Sequence, residues 1–189
     1  MAARWAAFLI DLFSETNSNT GMSCLILGVD PGSRVTGFGL VRVQRGDIEH
    51  VSHGVIVMDT DGDFPHRMLE LGSAFRELME KYHPDQVSIE KIFLGKNADS
   101  AFKLGHARGV IMYEGMRGGA KVFEYATRIV KKGVTGDGGA SKEQVQAVLK
   151  ALLRLPKINQ MDASDALAMA CHHAYEVQRQ RLIRRAVEI

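Results

Sequence analysis

The stretch LILGVDPGSRVTGFGLVRVQ, residues 25–44, sets the architecture of this chain. The apolar run at 25–29 predicts a buried strand, and the DPGS sequence at 30–33 follows it as a turn signal. A second apolar stretch at 36–44 predicts a neighbouring strand, so the chain is expected to reverse direction here. Asp30 therefore lies at the exit of a buried strand, where a carboxylate is costly unless a cation meets it.

Beyond this stretch the pattern alternates between strands and helices. Strands are predicted at 25–29, 36–44, 48–58, 86–92 and 120–125. Helices are predicted at 65–82, 98–116, 127–133, 142–153 and 161–185. The first three strands suggest an antiparallel meander, and the later ones alternate with helices. This order predicts an α/β fold, a five-stranded mixed sheet flanked by helices on both faces.

Length and composition are those of a globular protein. The chain has 189 residues, of which 46% are hydrophobic and 24% charged, which excludes a disordered polymer. We expect a single domain at 22–189 that ends in a helix, and an N-terminal extension at 1–21 that is not part of the fold. No apolar stretch reaches the roughly 20 residues of a membrane helix. Two widely separated cysteines, Cys24 and Cys171, form no disulfide framework and suit the cytoplasm.

The charge is distributed unevenly. The net charge is only +2, but residues 121–157 hold eight Lys or Arg and three Asp or Glu, a local excess of five positive charges. A basic region beside clustered acids suits a phosphodiester substrate. Solvated helix faces are the ordinary alternative explanation of such a charge run.

Three further acids share the setting of Asp30. Glu90 follows the β-like run at 86–89, and Asp162 and Asp165 begin the last predicted helix. Because Asp162 and Asp165 are three residues apart, they share one helix face. If the first and fourth strands are neighbours and this helix crosses the sheet beside them, the four carboxylates converge.

Four converging carboxylates predict a metal site. Without a cation they would repel one another and raise some of their pKa values. Oxygen ligands favour Mg²⁺, with Mn²⁺ as a substitute, over zinc. Two such ions suit phosphodiester cleavage, because one activates a water and the other stabilises the leaving oxygen.

Each acid taken alone also has a structural explanation. Asp30 could cap its turn, Glu90 could be a strand-end charge, and Asp162 could be a helix N-terminal acid favoured by the helix dipole. Asp165 precedes the apolar run at 166–169, which predicts burial, and a buried aspartate is rare unless it is paired. The convergence of all four is what indicates a site.

Longer sequence words around these acids resemble one family. They are ILGVDPGSRVTGFG at 26–39, IEKIF at 89–93, KNADSA at 96–101, KLGHARG at 103–109, VFEYA at 122–126 and DASDALA at 162–168. Together they resemble the RuvC family of bacterial Holliday-junction resolvases, from about 25 to 173. The resemblance implies a ribonuclease-H-like fold and a Mg²⁺-dependent, homodimeric endonuclease. It would resolve four-way DNA junctions in recombination and repair by paired symmetric nicks that leave ligatable ends.

The resemblance also assigns roles to single residues. The family's acidic tetrad falls on Asp30, Glu90, Asp162 and Asp165. Its basic positions beside the scissile backbone fall on Lys131 and Lys142, and Phe93 matches an aromatic residue near the junction centre. No tetrad position is substituted, so the resemblance gives no reason to expect an inactive member. Whether the branch-migration complex of the same pathway binds this chain is left open.

The residues themselves support these DNA-binding roles and offer structural alternatives. Phe93 lies in a predicted basic loop, where an exposed aromatic ring can stack on bases or fold back on the core. Lys131 and Lys142 flank a glycine-rich segment at 133–139, which suits a backbone clamp or a plain surface turn. Arg34, in the first turn, is a candidate phosphate contact.

Two other functions stay open at this point. The DPGS turn followed by Gly37-Phe38-Gly39 resembles the phosphate hairpin of actin- and hexokinase-like ATPases, although these need two lobes. A non-catalytic DNA-binding module would bind junctions without metal-dependent nicking. Helix 98–116, rich in small residues, is a candidate dimer interface or a core helix. His172 is expected to be a plain helix histidine rather than a metal ligand.

Overall fold

The structure is a computed structural model that describes residues 23–91 and 98–187. The strands are β1 (Cys24–Asp30), β2 (Val35–Gln44), β3 (Asp47–Val57), β4 (Gln86–Glu90) and β5 (Lys121–Tyr125). The helices are α1 (Phe64–Tyr82), α2 (Ala98–Arg117), α3 (Thr127–Thr135), α4 (Lys142–Leu152) and α5 (Met161–Val187). The predictions for residues 1–21 and for Phe93 lie outside the described residues.

The strands form one sheet in the order β3-β2-β1-β4-β5. β2 runs antiparallel to β1 and β3, whereas β4 and β5 run parallel to β1. Parallel strands end at the same edge of a sheet, and Val29 of β1 pairs with Ile89 of β4. Asp30 and Glu90 come directly after these two residues, so they leave the sheet side by side.

Helices cover both faces of this sheet. Helices α3, α4 and α5 share one core with strand residues such as Ile26. Helices α1 and α2 share the other core, in which Leu27, Phe75 and Ile111 are fully buried. Ile26 and Leu27 point to opposite faces because side chains alternate along a strand. The predicted α/β fold, with a five-stranded mixed sheet between two helical layers, is confirmed.

Helix α5 lies directly on the glycines of β1 and β2. A Cβ on Gly28 would lie 2.1 Å from the carbonyl oxygen of Ala166, and one on Gly37 would lie 2.0 Å from that of Asp162. A Cβ on Gly39 would lie 2.9 Å from the nearest backbone atom of the helix. Only glycine permits so close an approach. The glycine pattern that resembles a phosphate hairpin therefore serves helix packing here.

Element ends differ from the predicted ones by a few residues. β4 ends at Glu90 rather than at 92, while α3 and α5 continue to Thr135 and Val187. Helix α3 is capped at its C-terminus by Gly136, whose φ of 84° is readily adopted only by glycine. In the described part of the chain, no helix combines the length and apolarity needed to span a membrane.

Candidate metal centre at the carboxyl edge of the sheet

A cavity of about 250 Å³ opens where β1 and β4 end. Asp30 and Glu90 line it from the sheet, and Asp165 lines it from α5. Three further polar side chains line it: Thr127, Lys131 and Lys142. The arrangement follows from topology, because the parallel strands deliver their terminal side chains to one edge and α5 begins above that edge.

Helix α5 carries Asp162 and Asp165 in its first turns. They are the second and fifth residues of the helix, which starts at Met161. The contact between Gly37 and the backbone of Asp162 fixes where this start lies on the sheet. Asp162 does not line the cavity itself, although its charge acts on Asp30. The structure therefore brings three of the predicted acids into one cavity and places the fourth beside it.

The electrostatics of the cavity are those of crowded carboxylates. The pKa of Asp30 is raised from its usual range to about 7. Burial is the largest cause, and the next three are repulsion from Asp165, Glu90 and Asp162. Only Lys142 acts in the opposite direction among the causes of this shift. At Asp30, repulsion from the neighbouring acids therefore outweighs the attraction of Lys142.

Lys142 makes the principal ionic contact of the cavity. Its Nζ lies 2.5 Å from Oδ2 of Asp165, and this hydrogen bond is the main reason that the pKa of Lys142 is raised. Lys142 is the first residue of α4, whose start is fixed by a capping box of Ser141 and Gln144. The predicted burial of Asp165 is wrong, because its side chain is 27% exposed, but the aspartate is paired.

Two residues without a predicted role hold Glu90. The hydroxyl of Thr127 donates a hydrogen bond to Oε1 of Glu90, and Nε of Arg108 donates to the Glu90 carbonyl at 3.2 Å. Glu90 pairs with Tyr125 at the end of β5, two residues before Thr127. A polar residue just beyond a third parallel strand was the available sequence signal for Thr127. The contact of Arg108, which comes from α2, had no local signal.

The predicted DNA-binding residues are placed differently from one another. Lys131 lines the cavity, but its Nζ donates to the carbonyl oxygen of Ala140 at 2.7 Å, so it also ties α3 to the start of α4. Arg34 is exposed in the turn after β1. His172 is buried against the ring of Tyr125, with a centroid distance of 4.6 Å, and does not line the cavity.

The donor set fits a hard divalent cation. All four acids offer oxygen, and Asp30 shows the excess of negative charge that such an ion would relieve. As the side chains stand, no three Asp, Glu, His or Cys groups within 23–91 and 98–187 share one ligand position. The hydrogen bonds from Lys142 to Asp165 and from Thr127 to Glu90 engage two of the carboxylates instead.

The sheet order and the helix that crosses it define a ribonuclease-H-like fold. The RuvC structure of Thermus thermophilus in complex with a Holliday junction substrate has the same fold, with a TM-score of 0.75. The match has 24% sequence identity and covers 82% of this chain and 96% of that one.

Comparison of the sequence itself is more specific. The model of the family described as crossover junction endodeoxyribonuclease RuvC matches residues 26–173. The crossover junction endodeoxyribonuclease RuvC of Bdellovibrio bacteriovorus is 73% identical over 168 residues, which cover 89% of this chain and all of that protein. The RuvC of Geotalea uraniireducens is 48% identical over 149 residues, which cover 79% of this chain and 87% of that protein.

This chain belongs to the RuvC family of crossover junction endodeoxyribonucleases. The resemblance noted in the sequence is confirmed, and the chain is a hydrolytic nuclease. An ATPase and a non-catalytic binding module are both set aside by this membership.

Proposed function

We propose that this chain cuts four-way DNA junctions by paired symmetric nicks, with divalent cations held by Asp30, Glu90, Asp162 and Asp165. The observation that carries the proposal is that Asp30, Glu90 and Asp165 line one cavity, where burial and repulsion from the neighbouring acids raise the pKa of Asp30. Mg²⁺ is the expected ion, and Mn²⁺ the expected substitute. When bound, such ions supply an activated water and charge stabilisation at the leaving oxygen.

The basic side chains act on the phosphate backbone in this proposal. Lys142 stands at the cavity with an exposed ammonium group, so it can leave Asp165 for a phosphate once a cation neutralises the acids. Lys131 holds the segment between α3 and α4 in place and contributes positive charge to the same wall. Arg34, exposed beyond β1, contacts the strand further along, and Phe93 stacks at the junction centre.

A homodimer supplies the two sites that two nicks need. Its interface is the groove of about 700 Å³ between α1 and α2, where Leu69, Phe102 and Tyr113 are each at least 65% exposed. Exposed apolar residues of this size indicate an interaction surface. A Cβ added to Gly105 or Gly109 of α2 would have no neighbouring atom within 4 Å among the described residues. Glycine weakens a helix, so their presence here suits the close approach of a second helix.

The dimer proposal is tested by light scattering on Phe102→Asp. The variant is expected to be monomeric while the wild type is dimeric. Leu182→Asp on α5 is the matched control, because Leu182 is 66% exposed and lies away from the groove. A monomeric wild type, or a dimeric Phe102→Asp protein, would contradict this interface.

The proposed compartment is the cytoplasm, and the proposed nuclease domain excludes residues 1–21. Both cysteines are free and buried, and burial raises the pKa of Cys24 to about 11 and of Cys171 to about 12. The B. bacteriovorus relative is matched over its whole length by 168 of the 189 residues. The family model matches residues 26–173, which supports a domain that begins after the N-terminal segment.

The central test is Asp165→Asn on a synthetic four-way junction with Mg²⁺, with products mapped at nucleotide resolution. We expect cleavage to fall by more than about a hundredfold, because removal of groups merely behind a metal ligand already loses up to that much. Junction binding without metal is expected to persist. Asp47→Asn, an exposed acid at the opposite end of the sheet, is the control. Wild-type cleavage by Asp165→Asn would contradict the assignment.

A further inference from the structure

Thr127 lies at the start of a helix that does not use its side chain as a cap. It is the first residue of α3, whose N-cap is Ala126, and no side chain caps this helix start. Thr127 is exposed, so its side chain adds little to the core. Its hydroxyl donates instead to Oε1 of Glu90, on the neighbouring parallel strand. The contact therefore joins α3 to the acidic cavity rather than to its own helix.

The backbone around Glu90 is already held from two sides. Arg108 donates to the Glu90 carbonyl at 3.2 Å, and the backbone N–H of Lys91 donates to the carbonyl of Tyr125 at 2.8 Å. The remaining freedom of Glu90 is in its side-chain torsions. The hydroxyl of Thr127 removes that freedom and engages one of the two carboxylate oxygens. Glu90 lines the cavity together with Asp30 and Asp165.

We infer that Thr127 is a positioning residue that fixes the direction of the Glu90 carboxylate at the acidic cavity. The inference rests on the proposed function, because it needs Glu90 to bind a divalent cation. Outer groups that hydrogen-bond a ligating carboxylate fix its direction, and their loss weakens metal affinity about 10- to 100-fold. The N-terminus of α3 also favours the negative charge of Glu90. Thr127 would therefore affect both the geometry and the occupancy of the site.

The test compares three variants by Mn²⁺ titration, with free Mn²⁺ read by electron paramagnetic resonance. Thr127→Val keeps the shape and removes the hydroxyl, so its Mn²⁺ dissociation constant is expected to rise about tenfold. Thr127→Ser keeps the hydroxyl and is expected to restore wild-type affinity. Thr135→Val is the matched control, because Thr135 lies in the same helix and donates to the backbone of Lys131.

Two more measurements separate positioning from a structural role. The melting temperature of the metal-free Thr127→Val protein is expected to equal that of the wild type, because the residue is exposed. Its kcat is expected to fall at limiting metal, while KM for the junction stays unchanged. Wild-type Mn²⁺ affinity in Thr127→Val, or an equal loss in Thr135→Val, would overturn the inference.

Failure of the proposed function would give a different pattern of Mn²⁺ binding from failure of the inference about Thr127. If Asp165→Asn binds Mn²⁺ as the wild type does, the acidic cavity is not the metal site, and the inference about Thr127 falls with it. If Asp165→Asn loses Mn²⁺ binding and Thr127→Val does not, the proposed function stands and only the role of Thr127 is wrong.

Discussion

The two faces of the sheet are packed by different means. On one face, α5 lies so close to the strands that a Cβ on Gly28 would lie 2.1 Å from the carbonyl oxygen of Ala166. On the other face, α1 and α2 meet the sheet through large buried side chains, among them Phe75 and Ile111. Side chains can repack after a substitution, whereas two backbones in contact cannot.

This difference has a functional consequence. The helix packed by backbone contact is the one that carries Asp162 and Asp165, whose position relative to Asp30 and Glu90 decides whether the acids can share a cation. A catalytic constellation must be held within about 0.5 Å of its working geometry. Glycine in the strands provides that constraint for α5, while the α1–α2 face is free to carry an adaptable apolar groove.

The largest expected effect is a contrast between Gly28→Ala and Gly72→Ala. A Cβ on Gly28 would meet the backbone of α5, so we expect the free energy of unfolding to fall by about 3 kcal/mol or more. A Cβ on Gly72 of α1 would meet only the side chain of Val110 at 3.3 Å. Alanine also favours a helix over glycine by up to about 1 kcal/mol, so this variant is expected to be neutral or slightly stabilised. Urea unfolding measures both, and equal losses would contradict the contrast between the faces.

Gly37→Ala is expected to act on the site more than on the fold. Its Cβ would lie 2.0 Å from the carbonyl oxygen of Asp162, but the start of a helix can shift where its middle cannot. We expect a loss of about 1–3 kcal/mol in stability and a larger fractional loss of cleavage at temperatures where the protein is folded.

The control for Gly37→Ala is Gly54→Ala on β3. A Cβ on Gly54 would also clash, at 2.9 Å, but with the ring of Phe38 and away from α5. A similar loss of stability without a loss of cleavage is expected. If both variants lose cleavage in proportion to their folded fraction, the contact with Asp162 does not set the site.

The sequence predicted the elements and the acidic site because both rest on regular rules. Apolar periodicity is local, and adjacent parallel strands end at one edge, so Asp30 and Glu90 could be placed together before any coordinates were known. The three-residue spacing of Asp162 and Asp165 put them on one helix face. These relations survive small errors in element ends, which were two residues off for β4, α3 and α5.

What could not be predicted depends on distances between elements. The hydrogen bond from Thr127 to Glu90 and the pairing of Lys142 with Asp165 join residues 37 and 23 positions apart. Neither pair leaves a local pattern. Asp165 was expected to be buried because of the apolar residues after it, but Ala166 and Leu167 pack on the sheet while Asp165 lines the cavity. Burial of neighbours does not transfer between the sides of a helix.

The next prediction concerns the pH dependence of the metal-free protein, measured with a chelator present. The pKa of Asp30 is about 7 when folded and near 3.8 otherwise, so the folded protein binds its proton more tightly than the unfolded chain. Stability is therefore lost as the pH rises from about 4 to 7. Asp30→Asn removes this penalty. Its gain in unfolding free energy should be near zero at pH 4 and rise to at most roughly 4 kcal/mol above pH 7.

Measurement of that difference by urea unfolding at several pH values checks the sign. A gain that is independent of pH would mean that Asp30 does not titrate in this range. Saturating Mn²⁺ should reverse the order of the two proteins at neutral pH, because only the carboxylate can bind the ion.

The smallest effect on stability is expected for Lys142→Met. The ion pair with Asp165 is 52% exposed on the lysine side, so its loss should lower stability by less than about 1 kcal/mol.

The effects of Lys142→Met on Mn²⁺ affinity and on cleavage should be larger, and they should go in opposite directions. Without the ammonium group, Asp165 has no competing cation, and Mn²⁺ affinity should rise roughly tenfold. Cleavage should fall, because the phosphate contact is lost. Lys150→Met, at the far end of α4, should change neither. Weaker Mn²⁺ binding in Lys142→Met would show that the lysine organises the acids rather than competing with the ion. The arrangement of the acids at the carboxyl edge would then be fixed by side-chain contacts, just as the position of α5 is fixed by its backbone contacts with the strands.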